Sequence, residues 1–176
     1  MPFQIRPEQS GDHNQITHIH RQAFGRDNEG RLVHRLRRES ALQLSLVTVQ
    51  DDLAIAHIAF SGVTLSGAKK GKRAASLGLA LGPVGVLPNH QGEGLGLELI
   101  KAALNDMVVK SSPFQVLVGE PELYGRFGFV AAESFGLSCE IPVPKKYFLL
   151  RVSPEQPVAD FEDGDVLHYH NAFHSV

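Results

Sequence analysis

The sequence predicts a single α/β domain built on a central mixed, mostly antiparallel sheet with flanking helices, and three observations carry that expectation. At 176 residues the chain is long enough to bury roughly 70% of its unfolded surface in one core. Apolar residues make up 43% and charged residues 20%, the balance of a globular rather than a disordered chain. Apolar runs of period two and of period near 3.6 alternate, and the second half sets strand, helix and strand in succession, a right-handed parallel crossover.

Taken in order, Phe3 to Arg6 alternates apolar and polar and meets Pro7, which suits a short edge strand. Ser10 is placed to cap a helix with Ile16, Ile19 and Ala23 on one face, and Gly25 to stop it. Asn28 is placed to cap a second helix with Leu32, Val33 and Leu36 inward and Arg31, Arg35 and Arg38 outward. Leu44 to Gln50 and Leu53 to Leu65 read as antiparallel strands about Asp51-Asp52, followed by a basic hairpin tip from Ser66 to Arg73 that reads as a solvated loop.

Ala75 to Val86 is almost wholly apolar, as a central strand covered on both faces should be. A helix from about Glu93 to Lys110, apolar at Leu95, Leu99, Ala102 and Ala103, ends at Ser111-Ser112-Pro113, and Phe114 to Gly119 is the next buried strand. Beyond Phe129 the chain is turn-rich, with Pro142, Pro144, Pro154 and Pro157 and a strand near Tyr147 to Val152. Residues 143–176 read as a C-terminal extension packed on the single domain of residues 1–176. The acidic run from Asp160 to Asp165 reads as a solvated loop.

Seventeen basic against nineteen acidic residues leave a net charge of −2, too weak a field to draw the chain to nucleic acid or anionic lipid. The single Cys139 excludes an internal disulfide and a multi-cysteine zinc site, and reads as a packed thiol. His168, His170 and His174 match no standard metal spacing, so they read as surface residues and no metal is expected. No apolar run approaches the roughly 18 residues of a membrane span. Met1 to Gln4 has no charged and apolar leader pattern, so the cytoplasm is the expected compartment.

The chemistry concentrates between Leu81 and Leu99, where an apolar strand, a glycine loop and a helix start follow one another. Glycines let successive backbone N–H groups converge on an anion, and a helix N-terminus adds its dipole. No Lys follows the glycines, which excludes a P-loop, and Leu97 occupies the place of the last glycine of a dinucleotide fingerprint. Gln91-Gly92-Glu93-Gly94-Leu95-Gly96 fits [Gln/Arg]-x-x-Gly-x-[Gly/Ala] in full, and so resembles the acyl-CoA pyrophosphate loop of the GNAT superfamily of N-acetyltransferases. Val84 to Pro88 looks like that superfamily's fourth strand, and Val118 to Pro121 with Leu123 to Phe129 like its fifth strand, short helix and sixth strand. Ala23-Phe24, Leu32 to Leu36, His57 to Ser61 and Tyr169 to Phe173 resemble the YhbS-like branch.

The resemblance implies acetyl-CoA or another acyl-CoA as cosubstrate, direct transfer of the acyl group to an amine of a small molecule or protein, and no metal. It implies a pyrophosphate cradle from Gln91 to Leu97, comprising Gln91, Gly92, Glu93, Gly94, Leu95, Gly96 and Leu97. Diverging fourth and fifth strands are also implied, with the Val84 amide facing the thioester oxygen, the Val86 amide the pantetheine arm, and Gly85 between them helping a bulge. Tyr124 would protonate the leaving thiolate, with Phe127 beside it on the cofactor side. For amine deprotonation the residues leave two candidates. His57 is also readable as a hydrogen-bonded core histidine, and Glu120 also as a helix cap. A non-catalytic acyl-CoA-binding module is the alternative from another class. The basic tip offers a weaker option, contact with the CoA 3′-phosphate or an acyl carrier protein. Many proteins of the superfamily pair through their late strands, which makes a homodimer an assembly to test.

Overall fold

In the computed structural model, residues 2–67, 78–156 and 161–175 are described. They fall in two compact units, Met1–Ser61 with Leu81–Asp106 and Asn171–Val176, and Gly62–Ala80 with Met107–His170. The basic tip from Lys69 to Arg73, the expected strand residues Ala75 to Leu77, and Pro157 and Asp160 lie outside the described residues.

In the first unit, strands β1 (Gln4–Pro7), β2 (Leu42–Gln50) and β3 (Leu53–Ser66) pair antiparallel in sequence order. Asp51 and Asp52 turn the β2–β3 hairpin with φ of 49° and 64°, the left-handed pair that a two-residue turn matching strand twist demands. Helices α1 (His13–Phe24) and α2 (Asn28–Arg38) carry Ile16, Ile19 and Val33 onto Val47, Ala54 and Ala59. Leu32 and Leu36 pack on Ala172 near the chain end. A Cβ on Gly30 would stand 3.3 Å from Thr17 Cγ2, so the glycine lets α2 approach α1 closely.

Gly25 ends α1 in the left-handed region as expected, with φ 69° and its N–H on the Arg21 carbonyl. The start differs from the expectation, because Ser10 opens a 3-10 turn to Asp12 and α1 begins at His13. Asp12 controls that start. Its Oδ2 accepts from the Gln9 N–H at 2.7 Å, and Arg6 grips both carboxylate oxygens at 2.6 and 3.0 Å.

Strand β4 (Gly78–Val86) leads through a 3-10 turn, Pro88–His90, to α3 (Leu95–Leu104), and a separate short helix α4 (Met107–Lys110) follows. The single helix expected from Glu93 to Lys110 therefore starts two residues later and breaks at Asn105-Asp106. Asn105 is the reason, since its side-chain Nδ2 donates to the Lys101 carbonyl at 3.0 Å and competes with the helix ladder.

The second unit holds β5 (Phe114–Val118), helix α5 (Pro121–Tyr124), and strands β6 (Val130–Ala131), β7 (Ser138–Cys139), β8 (Phe148–Val152) and β9 (Val166–His168). β5 runs parallel to β4 through Leu79↔Gln115 and Ala80↔Val116, and β8 runs antiparallel to β5 and β6. β9 lies antiparallel to the end of β3 and carries β7 parallel to it. Hydrogen bonding orders the sheet β1-β2-β3-β4-β5-β8-β6, mostly antiparallel with one parallel β4/β5 pair. A Cβ on Gly78 would fall 2.0 Å from the Phe114 ring, whose neighbour Phe161 also meets Phe135. The acidic run is more than a solvated loop. Asp165 is buried because its Oδ2 accepts from the Glu162 N–H at 2.8 Å while its carbonyl accepts from Ser138.

Candidate active site

The glycine loop lies in the first unit. The Leu87 N–H donates to the Ile55 carbonyl at 2.9 Å, which anchors the end of β4 on β3, and Gln91 Nε2 returns to the Val86 carbonyl at 2.9 Å. Gly92 and Gly94 hold φ of 81° and 82°, and a Cβ on either would meet nothing within 4 Å. Glycine is therefore needed there for backbone conformation and not for room. Gly96 is different. It is helical, and a Cβ on it would make an ordinary 3.5 Å contact with Val86 Cγ2. Gly94 is also the residue preceding α3, whose N-terminus has no side-chain cap, so an anion can satisfy the first amides of this ten-residue helix. Glu93 is exposed with its carboxylate 3.9 Å from His90, while Leu95 is buried and Leu97 half-buried. Those features fit a pyrophosphate. A cleft of 180 Å³ lies alongside, lined by His18 and Gln22 of α1 and by Leu87, Pro88, Asn89 and His90.

Val84 and Val86 are half-buried and Gly85 is buried. A Cβ on Gly85 would stand 2.9 Å from His20 Nδ1 and 3.3 Å from Ile19 Cγ2, so the glycine is what lets α1 set an imidazole against β4. His20 is fully buried and its Nε2 lies 2.7 Å from His57 Nδ1. His57 is also fully buried, and its Nε2 lies 2.8 Å from Ser45 Oγ. Ser45 in turn donates to Glu8 Oε2 at 2.5 Å, and Arg37 holds both Glu8 oxygens at 2.7 and 2.8 Å. Glu8 Oε2 is 3.8 Å from His57, so the hydroxyl bridges them. Burial pushes His20 down to about 4, against a smaller upward pull from Glu29. Burial likewise drives His57 well below its ordinary value, with the charges of His20 and Arg37 adding to it. Both rings are neutral at pH 7. Burial raises the Glu8 carboxyl, but hydrogen bonds from Arg37 and Ser45 and the Arg37 charge outweigh it and leave Glu8 ionised.

Tyr124 lies in the second unit at the end of α5. A Cβ on Gly119 would fall 2.5 Å from its Cε2, and Phe129 meets its ring edge-on at a centroid distance of 6.0 Å. Burial raises its pKa, so the phenol keeps its proton. Glu120 is exposed and precedes α5; its carbonyl, not its side chain, takes the Leu123 and Tyr124 N–H groups. Phe127 is half-buried, with its carbonyl accepting from Arg151 Nε at 3.0 Å. Cys139 lines a separate 740 Å³ cavity with Leu137, Ile141 and Phe148, and its thiol is raised by burial and the Glu140 charge against a lowering N–H from Ile141. His168 is bound on both sides, with Nε2 2.6 Å from Ser66 Oγ and Nδ1 2.7 Å from Glu140 Oε2.

Reading of the sequence singled out His57 but missed His20, Ser45 and Glu8. His20 carried a signal, since it stands four residues after Ile16 on the apolar stripe of α1. Glu8 and Ser45 carried none.

The chain matches the family described as Acetyltransferase (GNAT) domain over residues 4–132. The chain belongs to the GNAT acetyltransferase family. Uncharacterized N-acetyltransferase YhbS of Escherichia coli K12 is 33% identical over 145 residues, covering 82% of this chain and 83% of the relative. Uncharacterized N-acetyltransferase YjhQ of the same organism is 27% identical over 148 residues, covering 82% and 80%. Among solved structures, Escherichia coli YhbS in complex with CoA superposes with a TM-score of 0.85 and 28% identity, covering 98% of this chain and 92% of the other. A GNAT family acetyltransferase from Brucella melitensis in complex with acetyl-CoA gives 0.73 and 35% identity, covering 98% of each chain. Among the described residues of this GNAT protein, no helix is long and apolar enough to cross a membrane.

Proposed function

We propose that the chain transfers the acetyl group of acetyl-CoA directly to an amine of a small molecule or protein, with the loop from Gln91 to Leu97 holding the cosubstrate's pyrophosphate. The observation that carries this is the left-handed pair Gly92 and Gly94 ahead of the uncapped N-terminus of α3. The related structures holding CoA and acetyl-CoA support it. Each backbone N–H given to a phosphate oxygen contributes about 1.5–3 kcal/mol, so three or four suffice for micromolar binding after ordering costs.

When bound, acetyl-CoA supplies the thioester: an amide forms as the C–S bond breaks, the amine giving up a proton and the sulfur taking one. The Val84 amide is assigned to the thioester oxygen and the Val86 amide to the pantetheine arm. Tyr124, a neutral phenol at pH 7, is assigned as the donor to sulfur, with Phe127 beside the cosubstrate. The amine is the harder problem. An alkylamine of pKa about 10.4 is less than about 0.1% neutral at pH 7, a handicap of roughly 4.6 kcal/mol. His57 and Glu120 are the two candidates for that step, and the pH–rate profiles of His57→Ala and Glu120→Gln decide between them.

Isothermal titration of Gly94→Val with acetyl-CoA tests the cradle: binding should vanish while far-UV circular dichroism stays native, and unchanged titration would refute it. A product-mass assay on an amine panel, with DTNB detection of released CoA, tests turnover. Binding without turnover on any amine would replace the enzyme reading with that of a non-catalytic acyl-CoA-binding module. The composition supports a cytoplasmic location, and a homodimer is the assembly to seek by size-exclusion chromatography.

A further inference from the structure

The second unit carries a nucleophile and a base that the acetyl-transfer reading does not use. Strand β9 pairs antiparallel with the end of β3 in the register Thr64↔His168, Leu65↔Leu167 and Ser66↔Val166. Side chains alternate across a strand, so Leu65 and Leu167 enter the core while Thr64, Ser66 and His168 share the opposite face. On that face Thr64 is exposed and Ser66 and His168 are half-buried. Strand β7 lies along the other edge of β9. Just past it the Glu140 N–H donates to the Leu167 carbonyl at 3.1 Å, which sets the Glu140 side chain beside His168.

The three side chains form a line with a direction. Ser66 Oγ lies 2.6 Å from His168 Nε2, and His168 Nδ1 lies 2.7 Å from Glu140 Oε2. Glu140 Oε1 accepts from the Tyr169 N–H at 2.9 Å, so a backbone bond orients the carboxylate. A carboxylate can only accept, so Nδ1 carries the proton, and in the neutral ring Nε2 takes the hydrogen bond of the Ser66 hydroxyl. Hydroxyl, imidazole and carboxylate therefore stand in the order that activates a serine nucleophile. The His168 and Glu140 side chains are 37% and 24% exposed, so a small acyl donor and water reach the line from solvent.

We propose that Ser66, His168 and Glu140 form a second acyl-transfer centre, which takes a short acyl group from an activated ester onto Ser66 Oγ and passes it to water. It uses none of the residues assigned to acetyl-CoA. Ser66 Oγ bonds to the ester carbonyl carbon as its proton goes to His168 Nε2. The bond from that carbon to the alcohol oxygen breaks, and the alcohol leaves with the proton from Nε2. Water then attacks the acyl-Ser66 carbonyl and gives a proton to Nε2, and Ser66 Oγ takes that proton back as the carboxylic acid departs. Ser66 and His168 are the catalytic residues, and Glu140 is a positioning residue that acts through His168. An open sheet face has no walls to hold a long chain, so a short acyl group on a good leaving alcohol is the class that suits it.

The probe is p-nitrophenyl acetate. Wild-type protein should release a burst of p-nitrophenolate, and mass spectrometry of the acid-quenched protein should find one acetyl group, on Ser66. Ser66→Ala should lose that adduct, and Glu140→Gln, which keeps the side-chain shape, should slow its formation about tenfold or more without moving it. In wild-type protein labelled with ¹⁵N-histidine, the neutral His168 ring should carry its proton on Nδ1. No adduct on Ser66, label scattered over lysines and other histidines, or acylation undiminished in Glu140→Gln would make these bonds a brace between strands and overturn the proposal. So would a neutral His168 ring protonated on Nε2. The adduct and the tautomer are both read in wild-type protein, so a variant that fails to fold still leaves the proposal open to refutation.

Discussion

Mild acid should destabilise this protein before its carboxylates are neutralised. His20 titrates at about 4 in the folded chain against an ordinary value of 6.5. Between those values the unfolded chain binds a proton that the folded chain does not, so stability falls as pH drops below 6.5 and the loss is complete near 4. The full gap corresponds to about 3 kcal/mol, of which about 2 kcal/mol is gone by about pH 5. His57 acts in the same direction, because burial also holds it well below its ordinary value. Glu8 and Asp12, also held below their ordinary values, act in the same direction but withdraw their support only at lower pH, in the carboxylate range. Urea unfolding followed by far-UV circular dichroism at about pH 7.5 and about pH 5 measures the difference, which should be about 2 kcal/mol or more. Equal unfolding free energies at the two pH values would refute the neutral buried pair.

Tyr124→Phe should lower kcat by about 10²-fold or more without raising KM for acetyl-CoA, and a nearly normal kcat would remove Tyr124 as the acid. Gly85→Ala would drive a methyl to 2.9 Å from His20 Nδ1 and 3.3 Å from Ile19 Cγ2. It should cost about 1–3 kcal/mol in urea unfolding, and a wild-type unfolding midpoint would show that β4 and α1 separate more easily than this packing implies.

Local signals in the sequence were strong where one short stretch decides the outcome. The hairpin at Asp51-Asp52, the stop at Gly25 and the buried faces of α1 and α2 follow from turn chemistry and helical period. Where a side chain reaches outside its own stretch, the same reasoning faltered. Ser10 is well placed for a cap, but it opens a 3-10 turn in which Asp12, held by Arg6, accepts from the Gln9 N–H, and Asn105 divides a helix whose apolar period runs on. The acidic run looks like solvated charge until Asp165 is seen bonded inside the fold.

The functional loop shows the same division. Its order of strand, glycines and helix start is covalent, so the sequence alone determined the fold class, the run of loop glycines and the family resemblance that the matching relatives support. Only the tertiary structure decided which glycines are conformational, since Gly92 and Gly94 are left-handed while Gly96 is helical. It alone also brought Glu8, His20, Ser45 and His57 into one hydrogen-bonded line. Those four residues come from an edge segment, a helix and two strands, and no spacing along the chain encodes hydrogen bonds that form only when separate elements pack on one another.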